Sequence, residues 1–334
     1  MKKRFIVFGL IVCAILMSAC KPKDEAKHDM VFYDYFDTVI EITYFKDDVD
    51  EAKVKTVIED KIKHLNDVLS NFEGGAIDEL NKSGEKDWPE LAPILERTLK
   101  LEDQTGNAVD ISKGKLFDIW RDAIESGVLP PESDIKDALM QGGKGSVIVD
   151  GDHISLNSGA AVDLGSVCKG YLNEELKKDF DSLGIKNFII SSGGNVTVHG
   201  RRAADRKNYS IGIENPFDLG DPFDIIYTTD KSLVTSGDYQ RFVEIDGKNY
   251  HHIVDLNTGY PSDNEKRSIT IVGDDAFLCD FLSTTLFLKS KDEIDECLKD
   301  FPGYEYYIIY KDGTHFVSEG LKNMSNLAAQ LWNR

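Results

Sequence analysis

The chain has 334 residues, 41% of them hydrophobic, with 39 Lys and Arg against 59 Asp and Glu, for a formal net charge of −20 at pH 7. So acidic a chain argues against nucleic acid as a partner and fits a soluble domain that stays dispersed. Its length suffices for an apolar core, so no disulfide framework is needed.

The first twenty residues read as an address. Lys2, Lys3 and Arg4 precede the apolar run from Phe5 to Leu16, and Met17-Ser18-Ala19-Cys20 follows, the order of a bacterial lipoprotein signal. The polar Lys21-Pro22-Lys23-Asp24-Glu25 arrives too early for a membrane-spanning helix. In this signal class residues 1–19 are removed and the sulfur of Cys20 is lipidated. Residues 20–32 are then a tether, and residues 33–334 a domain outside the cytoplasm, lipid-anchored to the cell membrane. Cys13 leaves with the signal, and the remaining Cys168, Cys279 and Cys297 fit neither a paired metal motif nor a dense disulfide pattern.

Residues Phe36 to Phe45 have the composition of a strand. From Glu51 to Ser70 the apolar Val54, Val57, Ile58, Ile62, Leu65 and Leu69 recur at helical spacing, and Leu91 to Leu101 repeats the pattern. Asp150-Gly151, Asp246-Gly247 and Asp312-Gly313 each mark a hairpin turn next to apolar runs. Further helices are expected from Ser166 to Leu183, stopped by Gly184, and from Ala276 to Leu288. Strands and helices without regular βαβ alternation predict an α+β fold, a single large domain with mixed or antiparallel sheets and packed helices.

Four clusters could carry chemistry. Ala161 to Tyr171 runs from a strand into a helix whose free N–H groups suit a phosphate; Gly165 and Gly170 permit close approach and Lys169 adds a charge. The same residues also occur at ordinary helix starts. Ser191-Ser192-Gly193-Gly194-Asn195 follows an apolar run, where paired glycines admit a ligand or simply make a turn. Beyond Thr235-Ser236-Gly237-Asp238-Tyr239 comes His251-His252, of which only one easily faces a given site; a histidine there could accept a proton or be structural. Asp280 and Thr284 lie four apart on one helical face, two hard oxygen ligands of the sparse kind magnesium accepts beside substrate phosphates. Thr284 could equally bond back to a helix carbonyl.

In this order the clusters resemble the FAD:protein FMN transferase family, also called the ApbE family of thiamine-biosynthesis lipoproteins, over about residues 33 to 320. Asp163-Leu-Gly-Ser-Val-Cys-Lys-Gly-Tyr171 is similar to the family's DLGGIAKGY, and Thr235-Ser-Gly-Asp-Tyr239 is a second shared segment. His251-His-Ile-Val-Asp-Leu-Asn-Thr-Gly-Tyr-Pro261 is similar to HHIxDPxTGxP, and Asp280-Phe-Leu-Ser-Thr284 stands in place of DALST. Phe36-Asp37-Thr38 occupies the place of MGT, Asn195 stands where many members have aspartate, and Leu256-Asn257 replaces Asp-Pro.

The resemblance implies that FAD is bound, with adenine and ribose near Asp110 and Lys169, because Asn107-Ala108-Val109-Asp110-Ile111 stands where the family has GAFDI. It implies FAD contacts also from Asp163, Phe36, Ala108, Val109 and His252, and from Phe72 within Leu69-Ser-Asn-Phe72, similar to FSxY. Magnesium is implied on the carbonyl of Ser166 and on Asp280 and Thr284, with His252 taking a proton. The activity implied is transfer of FMN from FAD to a Thr or Ser hydroxyl of an exported acceptor, with release of AMP. Such acceptors carry a DGxT/SGAT/S-like sequence and are typically electron-transfer subunits. FAD pyrophosphatase activity, and a non-catalytic flavin-binding lipoprotein, are the alternatives.

Overall fold

A computed structural model describes residues 24–71, 74–203, 207–218 and 220–327. The call on the signal and on Cys20 therefore lies outside the described residues, as does Phe72. Among the described residues no helix is long and apolar enough to cross a membrane.

The centre is an eight-stranded sheet in the order Lys27–Tyr35, Thr38–Phe45, Asn187–Ser192, Asn195–His199, Lys231–Gly237, Lys266–Gly273, Glu305–Tyr310 and His315–Val317. Each neighbouring pair is antiparallel. Parallel pairing occurs among the described residues only as an isolated bridge between Lys113 and Ala161.

Both faces of the inner strands are covered, so alternate residues enter different cores. Ile271 and Ile308 point into the larger one, and their neighbours Val272 and Ile309 into a second. Helices Glu51–Leu69, Cys168–Ser182 and Ala276–Phe287 fill the first side; the hairpin of Tyr209–Ile213 with Asp224–Thr228 closes the second. A third cluster, built on Leu116, Trp120, Ile135 and Val254, lies under helices Gly114–Ser126 and Glu132–Met140. This is the α+β arrangement expected from the sequence, with packed helices on antiparallel sheets.

Helix Ala276–Phe287 is apolar on nearly every side because it lies between the sheet and helix Cys168–Ser182. The two helices meet at Gly170. A Cβ there would stand 2.3 Å from the Ala276 carbonyl and 2.7 Å from Cβ of Asp280, so only glycine lets them cross this closely. Of the two uses the sequence allows for Gly170, close approach to a phosphate or an ordinary helix start, the structure shows helix packing.

The fold also begins earlier than the expected start at residue 33. Strand Lys27–Tyr35 occupies part of the expected tether 20–32 and forms one edge of the sheet. Its polar residues misled the reading, since an edge strand needs only one buried face: Phe32 is buried, and His28 stacks on Tyr44 at 4.7 Å. Phe36 and Asp37, read as strand, instead form a turn with φ of 53° and 51°. The three Asp-Gly hairpins and the helices expected near residues 51, 91, 166 and 276 are present within a few residues of their expected ends. Four further helices, Ala76–Ser83, Gly114–Ser126, Glu132–Met140 and Lys291–Cys297, went unpredicted.

Candidate active site

The segment from Ala161 to Lys169 reaches the helix start beside a second loop. Ala161 N–H donates to the Ser112 carbonyl at 3.1 Å, Gly114 N–H to the Ala161 carbonyl at 2.8 Å, and Asp163 N–H to the Ile111 carbonyl at 2.9 Å. These bonds bring the Ala108-Val109-Asp110 segment alongside Asp163, two regions far apart in the sequence. Asp110 is buried and accepts from the Ser112 N–H at 2.9 Å. Glu102 supports the same loop from the end of its helix, accepting the Ile111 N–H at 2.6 Å. Desolvation pushes its carboxyl up to about 8, and the charges of Asp110 and Asp103 push in the same direction.

Asp163 is already heavily engaged. One carboxylate oxygen accepts the Gly165 N–H at 2.7 Å, and the other accepts Asn71 Nδ2 at 2.7 Å and Arg121 at 3.0 Å. It therefore ties Asn71, just past helix Glu51–Leu69, to Gly165, just before helix Cys168–Ser182.

Beyond it, Ser166 is half-buried and its Oγ lacks a hydrogen-bond partner. Cys168 follows, its thiol pushed up to about 11 by desolvation, so it is not a ready nucleophile. The charges of Lys169, Asp280, Asp163 and Arg241 act on this thiol as well.

Asp280 is only 3% exposed. One of its oxygens accepts the Gly170 N–H at 2.8 Å. Burial raises its pKa, opposed by the Lys169 charge, the Asn195 amide and the N–H groups of Gly170 and Lys169. Asn195 is itself buried, and its Nδ2 makes no hydrogen bond within 3.5 Å, so it faces the carboxylate without fully satisfying it. One helical turn on, Thr284 is partly exposed, with its hydroxyl 3.4 Å from Ser236 Oγ. Ser236 and the adjacent Ser283 are joined at 2.8 Å, and Ser283 donates back to the Asp280 carbonyl at 2.8 Å. The back-bond weighed for Thr284 is thus made by Ser283, which leaves the Thr284 oxygen lone pairs available.

The adjacent histidines divide as alternation requires. His251 is buried and held by the Ser262 carbonyl at 2.8 Å, whereas His252 is exposed. Desolvation first, then the charges of His251, Arg241 and Lys169, set the His252 pKa well below its ordinary value, so the ring is neutral near pH 7. The Gly170 N–H on Asp280 joins the first and fourth clusters, and Ser236 beside Thr284 joins the third to the fourth.

The second cluster has a plainer role. Gly193 and Gly194, with φ of 54° and 91°, form the two-residue turn of a hairpin, and Gly193 packs on Thr38. Only Asn195 of that group reaches the site. Phe36 belongs to the turn that Thr38 continues, and its N–H donates to Asn66 at 2.8 Å.

Among the described residues no three His, Cys, Asp or Glu side chains group as a metal cage. A single carboxylate with hydroxyl and carbonyl oxygens is nonetheless the donor set of a magnesium ion that keeps room for phosphates. The half-satisfied Asp280 and the partly exposed Thr284 hydroxyl one turn on fit that use. A shallow open depression along helix Glu132–Met140 contains none of these residues.

The ApbE family model matches residues 36–308, which include all four clusters. The chain belongs to the ApbE family. The FAD:protein FMN transferase of Treponema pallidum is 28% identical over 247 residues, which cover 69% of this chain and 68% of that protein. The enzyme of the same name from Haemophilus influenzae is 24% identical over 340 residues, 96% of each chain. The crystal structure of the ApbE protein of Thermotoga maritima superposes with a TM-score of 0.80 at 25% identity, covering 90% of this chain and 99% of that one.

Within this ApbE-family fold, the sequence reading missed Glu102, Asn71, Arg121 and Arg241. Glu102 had a faint signal, since it sits four residues after Thr98 on the inward face of its helix. Asn71 sits inside the quoted Leu69-Ser-Asn-Phe72 segment without a role being assigned to it, and Arg121 and Arg241 act through partners distant in the sequence.

Proposed function

We propose that this chain is a magnesium-dependent FAD:protein FMN transferase acting on an exported acceptor. The observation that carries the reading is Asp280: a carboxylate buried beside Lys169 at a helix start, with an available hydroxyl from Thr284 one turn away. A buried carboxylate that accepts from the Gly170 N–H stays costly unless cations balance its charge. The activity named for relatives that cover most of the chain supports the same reading.

Magnesium, held by Asp280, Thr284 and the Ser166 carbonyl, would neutralise charge on the diphosphate of FAD. Lys169 and the N–H groups at its helix start add positive charge for the same diphosphate. The Ala108-Val109-Asp110 loop, which Glu102 supports, holds the adenosine end, while Phe36 and Phe72 take the flavin end. The hydroxyl oxygen of an acceptor Thr or Ser bonds to the phosphorus on the FMN side as that phosphorus loses its bond to the bridging oxygen. AMP leaves with the bridging oxygen, and the hydroxyl proton passes to Nε2 of neutral His252. The flavin ends in a phosphoester link to the acceptor.

The acceptor in this reading is an electron-transfer subunit carrying a DGxT/SGAT/S-like sequence. Lipidation at Cys20 after loss of residues 1–19 would place the enzyme beside it at the outer side of the cell membrane. Incubation of the purified chain with FAD, magnesium and such an acceptor should leave flavin fluorescence on the acceptor after denaturation. Chelation of the metal should abolish the signal. Free FMN with an unlabelled acceptor would instead identify a pyrophosphatase.

A further inference from the structure

His252 stands at the open end of a small hairpin, Phe242–Ile245 with Lys248–His251, which shares no ladder with the eight-stranded sheet. Its second strand is held by Tyr250, stacked on Trp120 with centroids 5.6 Å apart, and by His251 on the Ser262 carbonyl, but the exposed His252 ring lies just past the ladder. One atom closes that open end. The Arg241 carbonyl oxygen accepts the His252 backbone N–H at 3.2 Å and lies 3.4 Å from its Nδ1.

Arg241 is fixed in turn by the main sheet. Its Nη2 donates to the Asp37 carbonyl at 3.0 Å and stands 3.1 Å from the Asp37 carboxylate. Asp37 occupies the turn that also holds Phe36, bonded to Asn66, and Thr38, packed on Gly193. A continuous path therefore runs from the sheet through Asp37 and Arg241 to the imidazole. The ion pair is half exposed, at 50% and 63%, and an ion pair so wet adds little to stability. Its value must lie in where it holds the hairpin.

We propose that Arg241 is a positioning residue for His252: anchored on Asp37, its carbonyl accepts a hydrogen bond from Nδ1–H and leaves Nε2 as the proton acceptor. A neutral imidazole carries one N–H, so fixing it on Nδ1 decides which nitrogen can act as base. The inference rests on the assignment of His252 as the proton acceptor. It adds that the turn bearing Phe36 and the base are mechanically one unit.

A double-mutant cycle on the full chain tests this, with FMN transfer to a protein bearing the DGxT/SGAT/S-like sequence as readout. Arg241→Ala should lower kcat about tenfold, leaving the KM for FAD and the unfolding temperature nearly unchanged. Asp37→Asn, which keeps the carbonyl partner, should give a smaller loss in the same direction, and Arg241→Lys should recover part of the activity. In a His252→Ala background, Arg241→Ala should cost nothing more. An equal cost there would show that Arg241 acts on something other than His252, and no cost in the native background would overturn the proposal outright. Loss of activity in neither single variant would instead sink the role of His252 itself. Two-bond nitrogen–proton spectra give a second reading: the Nδ1–H tautomer should dominate in the native chain and lose ground in Arg241→Ala. Unchanged tautomer populations would contradict the coupling.

Discussion

Asp280→Asn is expected to lower FMN transfer by about 100-fold or more while FAD still binds, because it removes the charge that seats the metal and keeps an acceptor for the Gly170 N–H. Asparagine has nearly the shape of aspartate, so the crossing of helices Cys168–Ser182 and Ala276–Phe287 at Gly170 should survive. Turnover measured across a magnesium series, with FAD affinity measured alongside, checks this. Native turnover in the variant would remove Asp280 from the mechanism. The size of the effect follows from the chemistry, since phosphoryl transfer depends mainly on position and on charge neutralised at the phosphates.

Removal of the base should be nearly as damaging. His252→Ala is expected to lower kcat by roughly 10²- to 10⁴-fold, the range for losing a positioned general base, with little change in the KM for FAD. The pH profile carries a further sign. The pKa of His252 lies below its ordinary value, so the ring stays unprotonated as pH falls through the range where a free histidine would gain a proton. The native enzyme should therefore keep its kcat below pH 6.5, and the acid limb attributable to this base should appear only at lower pH. A limb at the usual histidine position, or a His252→Ala variant with native kcat, would count against the assignment.

Much of this was legible in the sequence, and for definite reasons. Helical spacing exposed Glu51–Leu69 because its six buried residues fall on one stripe. Aspartate followed by glycine marked three hairpin turns because Asp246, Gly247 and Gly313, among others, adopt positive φ there. Asp280 and Thr284 could be paired because a helix fixes the relation of residues four apart. What escaped notice was set by tertiary contacts. Gly170 suits a phosphate or a helix start equally by sequence, and only the second helix packed against it decides its role. Arg241 meets Asp37 across 204 residues of sequence, and Asn71 meets Asp163 across 92, distances at which no local pattern exists. The polar start of strand Lys27–Tyr35 hid an edge strand, whose solvent side tolerates charge.

The central claim is that one pocket joins a dinucleotide to a divalent ion through Asp280, Thr284 and the start of the Lys169 helix. Calorimetric titration of FAD into the purified chain, with and without magnesium, tests it most directly. Saturable binding that magnesium strengthens is expected; absence of binding heat in both titrations would overturn the proposed site.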